Sequence, residues 1–219
     1  METITTEIAA IQVKSLYLHF KTVKINESIL NTNKLKFANP ASPEALAKKG
    51  ELLFDVIDAI TLFENYHSLC DDVLNSRLIG PKLTEKVSAY LKNLRKIMAQ
   101  WKHVRNKLGG HLNIENITSI CDKHNFKGVF ISNFIEADFK AILLNMLVEE
   151  SVNSSLNKSQ LFEGEITLTN PSDLGRFVTK FMENWNVALN LNSILLEFLY
   201  DIGKSEKLKV TNEIGIIKF

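Results

Sequence analysis

A chain of 219 residues with 45% hydrophobic and 23% charged side chains has enough apolar surface for one well-buried core and is short for two independent domains. With 26 basic against 25 acidic side chains, it carries no global field that would draw it to nucleic acid or a membrane. Nine glycines and four prolines leave few turn formers, which argues against an all-β fold.

Met1 to Glu7 holds two acids and no base, so no secretory leader is expected, and a cytoplasmic location follows by elimination. The most apolar run, Val187 to Leu196, is interrupted by Asn190, Asn192 and Ser193 and falls short of a membrane span. Two cysteines, Cys70 and Cys121, are too few for a disulfide framework.

The first predicted helix places Ile4, Ile8, Ile11, Leu18, Ile25 and Ile29 at three- and four-residue steps and ends before Asn31. After a linker, Ser42 is an N-cap with Pro43 at the first helical position. That second helix runs to about Asn75 and buries Leu53, Val56, Ile57, Ile60, Phe63, His67, Cys70 and Leu74. Gly80-Pro81 marks the next turn. The third helix has the cleanest stripe (Leu83, Val87, Tyr90, Leu94, Ile97, Trp101, Val104, Leu108), and Gly109-Gly110 should stop it.

A short helix follows Asn113. Asn133 with Glu136 forms a capping box for another, carrying Ile142, Leu143, Met146 and Leu147. The last helix opens at Asn170-Pro171, closes near Gly203, and buries Phe177, Phe181, Trp185, Ala188, Leu195 and Leu199. Gly128–Ile131, Phe162–Leu168 and Ile214–Phe219 read as strands of a small accessory β element. The expected fold is therefore all-α, a bundle of five or six helices.

Charge is unevenly placed. Residues 81–111 hold eight basic side chains and one acid, whereas residues 51–76 hold six acids and no Lys or Arg. A hairpin whose two helices pair charges along their flanks accounts for much of this pattern. It does not account for Trp101-Lys-His-Val-Arg-Asn-Lys-Leu-Gly-Gly-His111. Arg105 falls seven and fourteen residues after Met98 and Leu91, so it continues an otherwise apolar row. A guanidinium there must face an acid, a cavity or a ligand anion, because burying it alone costs several kcal/mol, roughly. The double glycine frees the backbone so that His111 can swing toward Arg105. An arginine that grips a phosphate oxygen and an imidazole that moves a proton near neutral pH are what phosphodiester cleavage without a metal requires.

Arg105-Asn106-Lys-Leu-Gly-Gly-His111 resembles the Arg–polar–x–His motif of HEPN domains, where the polar residue directly follows Arg and His lies four to six positions beyond it. The resemblance extends over roughly residues 43–150, flanked by an N-terminal helix and linker (1–40) and a C-terminal extension with a long helix (151–219). It is nearest to the abortive-infection and toxin-type members of prokaryotes. It implies a helical bundle that forms a homodimer and cleaves RNA without a metal or other cofactor. Arg105 and His111 take the catalytic positions, Asn106 takes the polar one, and a cognate antitoxin protein is an implied partner. The tyrosine that some members carry two residues after the motif His is Asn113 here, which speaks against regulation by its modification. On this reading Lys102, His103 and Lys107 add phosphate contacts, and a hairpin centred near Ile79 puts Glu51 or Asp55 beside Arg105. The alternative is a non-catalytic helical nucleotide-binding or protein-interaction module, with Arg105 paired to an acid and His111 idle. Cys121 and His124 have a zinc-like spacing, but one such pair does not make a structural site, and no metal is expected.

Overall fold

The computed structural model describes residues 2–33, 42–110, 136–153, 161–168 and 170–205, together with Thr118 and Asp122. Six helices make up these residues: α1 (Glu2–Asn33), α2 (Pro43–Asn75), α3 (Glu85–Gln100), α4 (Lys102–Arg105), α5 (Glu136–Asn153) and α6 (Pro171–Ser205). A 3₁₀ turn at Gly80–Lys82 precedes α3, and a π-turn at Asn106–Gly110 follows α4. The fold of the described residues is all-α, as the periodicity predicts.

The Ser42 cap follows the sequence, and the structure adds a second at Thr84. Ser42 accepts from the Ala45 N–H ahead of Pro43, and Thr84 accepts from the Val87 N–H at the start of α3. Beyond α2, Ser76 receives the Ile79 N–H at 2.8 Å and donates to Glu7 of α1, which fastens the two helices at that end.

α2 is the central helix: α1, α3, α4 and α5 all pack on it. Its buried set is correspondingly wider than one stripe. Ala59, Leu62, Tyr66, Leu69 and Val73 are buried along with Val56, Ile60, Phe63 and Cys70. α1 runs antiparallel to α2, because Glu7 meets Ser76, Lys14 meets Ser68 and Asp72, and Thr22 meets Tyr66. Thr22 is fully buried; its hydroxyl donates to the Leu18 carbonyl at 2.7 Å, so the Tyr66 hydroxyl donates to Thr22 at 2.7 Å.

α6 runs antiparallel to α3. The Tyr90 hydroxyl donates to the Val187 carbonyl, while Trp101, further along, meets Phe177 and Phe181. Phe63, Trp101, Phe177, Phe181 and Trp185 form an aromatic centre joining three elements. Phe63 lies 5.5 Å from Trp101 and Trp185 stacks on Phe181 at 5.9 Å. Trp185 also donates to Asn26 at 3.3 Å, tying α1 to the same centre.

Two expectations change. The third helix is not continuous, because the α-helix breaks at Trp101 and resumes as the single turn α4 before the π-turn. Phe162–Leu168 is not a strand. Its alternation is real, with Ile166 and Leu168 buried and Glu165 and Thr167 exposed. Its backbone partners, however, are side chains of α5 and α6. Asp173 of α6 accepts the Thr167 N–H at 3.1 Å, and α5 supplies the inner contacts. Asn153 donates to the Ile166 carbonyl at 2.8 Å and accepts its N–H at 2.9 Å, and the buried Glu149 accepts from the Leu168 N–H at 2.8 Å. Gly128–Ile131, Ile214–Phe219 and most of the short helix after Asn113 lie outside the described residues.

Candidate functional site

The break at Trp101 sets the geometry around Arg105. Trp101 is fully buried, with φ −87° and ψ −5°, and its N–H turns to the Met98 carbonyl. A large ring fixed between Phe63, Phe177 and Phe181 holds that residue in place while the backbone leaves the α-helical ladder. The Arg105 N–H then reaches the Trp101 carbonyl at 2.9 Å, closing the one turn of α4. Val104 and Leu108 remain on the core side, which leaves Arg105 at the rim with its side chain 26% exposed. Asn106 opens the π-turn, an element often found at functional positions.

Arg105 does face an acid. Its Nη2 lies 3.3 Å from Oε2 of Glu64, while its Nε is buried without a hydrogen-bond partner. Glu51 and Asp55 are not brought to it. Glu51 pairs with Lys48, and Asp55 lines a cavity of about 390 Å³ between α1 and α2, opposite Lys21 and Lys24. The register explains the difference. The 3₁₀ turn and the extended backbone of Leu83 and Thr84 carry the chain past the end of α2 before α3 begins. Arg95, in the third turn of α3, therefore meets Asp71 at 2.7 Å, just before the last turn of α2. Arg105 falls correspondingly opposite Glu64, closer to the C-terminus of α2 than a tight hairpin would place it.

The α2–α3/α4 seam is thus laced by charge pairs, as a helical hairpin with oppositely charged flanks predicts. His67, expected among the buried stripe of α2, sits at this seam with its side chain 27% exposed, and its Nδ1 lies 3.2 Å from Asp71. The neighbouring Cys70 thiol is buried, and burial, reinforced by the Asp71 carboxylate, pushes it up to about 12, so it is inert at neutral pH.

Of the expected phosphate contacts, Lys102 is exposed and Lys107 is half-buried. His103 is turned inward. Burial holds its imidazole below the ordinary value of 6.5; the Val152 and Gln100 carbonyls oppose the shift and Lys107 adds to it. His103 is therefore uncharged at neutral pH and brings no positive charge to a phosphate.

His111, Cys121 and His124 lie outside the described residues. Among the described residues, no three His, Cys, Asp or Glu side chains converge in a way that could hold a metal ion, and no helix is long and apolar enough to cross a membrane. Set against models of protein families, curated proteins and solved structures, the chain matches none.

Proposed function

We propose that this chain is a metal-independent endoribonuclease of the HEPN type, acting as a toxin or phage-defence factor, with Arg105 and His111 as the reacting pair. The supporting observation is the state of Arg105: a guanidinium at the end of a broken helix, next to Asn106, partly open to solvent and engaged by a single carboxylate oxygen at 3.3 Å. A pair as exposed as this contributes roughly 0.2–1 kcal/mol. A phosphate oxygen, with charge-assisted and bidentate bonds, competes with it readily. Glu64 then serves as an orienting group that holds the arginine in place until the anion arrives.

In this mechanism an RNA 2′-hydroxyl attacks the adjacent phosphorus in line. The new bond forms from the 2′-oxygen, and the bond to the 5′-oxygen of the next nucleotide breaks. His111 moves the proton, and Arg105 stabilises charge on the phosphoryl oxygens. The products carry a 2′,3′-cyclic phosphate and a 5′-hydroxyl.

A second reading draws on the same contact. The Arg105–Glu64 pair also fits a non-catalytic helical module whose arginine is structural. Expression of wild type beside Arg105→Ala and His111→Ala separates the two. Growth arrest and RNA breakage by wild type alone support the nuclease; equal effects from all three chains, or none from any, support the module.

A further inference from the structure

In-line attack at a phosphodiester sets the 2′-oxygen and the departing 5′-oxygen on opposite sides of phosphorus. One imidazole cannot serve both, so a fast reaction needs a base on one side and an acid on the other. With Arg105 and His111 as the reacting pair, the reading on which this inference rests, one side is left without a proton-transfer group. The seam that holds Arg105 contains a second imidazole.

That imidazole is His67. Arg95 meets Asp71 and Arg105 meets Glu64, so His67, between the two acids on α2, faces the stretch of α3 and α4 between the two arginines. Glu64, His67 and Asp71 stand at i, i+3 and i+7, a single row in which successive Cβ atoms lie about 5–6 Å apart. A phosphate that draws Arg105 from Glu64 is therefore held about one helical turn from the ring. The two groups are open to solvent to the same degree, 26% for Arg105 and 27% for His67, so one ligand can touch both.

His67 is also held in place. Its Nδ1 lies 3.2 Å from Oδ2 of Asp71, whose other oxygen lies 2.7 Å from Nε of Arg95. A carboxylate anchored from α3 in this way favours a proton on Nδ1 and leaves Nε2 as the nitrogen that exchanges a proton with a ligand. Charge balance along the hairpin does not require this arrangement, since Arg95 already answers Asp71. His103 is no substitute: it is turned inward and uncharged at neutral pH, with no such proton to give.

We infer that His67 is a catalytic residue of this site, the general acid that protonates the leaving 5′-oxygen. His111 takes the proton of the 2′-hydroxyl as the bond from the 2′-oxygen to phosphorus forms. As the bond from phosphorus to the 5′-oxygen breaks, the Nε2 proton of the His67 imidazolium passes to that oxygen, while the Nδ1 proton stays toward Asp71. One proton is taken up and one delivered, and exchange with water restores both rings.

RNA with sulfur in place of the scissile 5′-oxygen tests the assignment, because a thiolate leaves without being protonated. The full-length wild type, His67→Gln and His111→Ala are each given RNA carrying oxygen or sulfur at a bond the wild type cleaves. His67→Gln should be slower than wild type on ordinary RNA by about 10²–10⁴-fold, and within about tenfold of it on the sulfur-containing RNA. His111→Ala should be slow on both. Asp71→Asn, which keeps the ring and loosens it, should fall between wild type and His67→Gln on ordinary RNA and be restored by sulfur in the same way. Binding of 2′-O-methyl RNA should be the same in His67→Gln and wild type. Wild-type cleavage of ordinary RNA by His67→Gln, or a defect that sulfur does not repair, would overturn the assignment and leave the ribonuclease reading standing. Loss of 2′-O-methyl RNA binding along with cleavage would make His67 structural and overturn it too. A wild type that cleaves neither RNA would remove the ribonuclease reading, and this assignment with it.

Discussion

Arg105 combines a demanding position with a modest hold. It continues the row of Leu91 and Met98, both buried, but emerges at the rim and meets Glu64 at 3.3 Å. A pair with side chains 26% and 42% exposed contributes under about 1 kcal/mol, so Arg105→Ala should lower unfolding stability by no more than that in urea titrations. A loss of several kcal/mol would mark the arginine as structural and favour the module. His103 behaves differently. Its folded-state pKa lies below 6.5, so between that lowered value and 6.5 the unfolded chain binds the proton and the folded chain does not. Its contribution to stability is present above 6.5 and is lost as pH falls through the folded-state value. His103→Gln should flatten the decline in stability on acidification below 6.5; a denaturation midpoint with the same pH slope in both proteins would contradict this. The sequence presented Arg105 clearly, since a guanidinium in an apolar row is visible from spacing alone. Its partner was harder to read. Glu64 and Asp71, seven residues apart on one face of α2, carried the signal, but choosing between them and Glu51 or Asp55 needed the inter-helix register.

That register belongs to the elements and their connections. Two helix starts are legible where a side chain caps them, Ser42-Pro43 and Asn170-Pro171, where the Asn170 carboxamide oxygen accepts the Ser172 N–H at 2.9 Å; the Thr84 cap of α3 is a finding of the structure, since the apolar stripe alone begins at Leu83. The break at Trp101 was not legible, because its cause is the aromatic packing around that ring and no glycine or proline marks it. The pattern of Phe162–Leu168 misleads for a related reason. Period-two alternation records that one side of an extended segment is buried, and it does not say what pairs with the backbone. Asn153 imitates a neighbouring strand by bonding both the N–H and the carbonyl of Ile166. Removing that carboxamide leaves both groups unpaired in a position where Ile166 is fully buried. Asn153→Ala should therefore cost about 2 kcal/mol by chemical denaturation. A cost within error of zero would mean that other partners replace the carboxamide.

At the scale of the whole molecule, one core among the described residues joins all six helices with Leu161, Ile166 and Leu168. Phe63 is its centre, touching Trp101, Phe181 and Trp185 from two other parts of the chain. Phe63→Ala should destabilise the protein by about 3–5 kcal/mol, read from the urea midpoint, whereas a surface change such as Lys92→Ala should not move it. The stripes that build this core, above all Phe177, Phe181, Trp185, Ala188, Leu195 and Leu199 of α6, were readable from periodicity, and all six are buried. Sequence alone could not convey how far the charge of residues 51–76 and 81–111 is used in holding the bundle together. Arg95–Asp71 and Arg105–Glu64 consume part of it, while Lys86, Lys92, Lys96 and Lys102 stay exposed. Incubation of purified protein with RNA in EDTA, with the new ends analysed chemically, tests the central claim most directly. Wild type should generate 2′,3′-cyclic phosphate and 5′-hydroxyl ends that neither Arg105→Ala nor His111→Ala produces. Cleavage that vanishes on chelation and returns with zinc, or that survives in both variants, would contradict it.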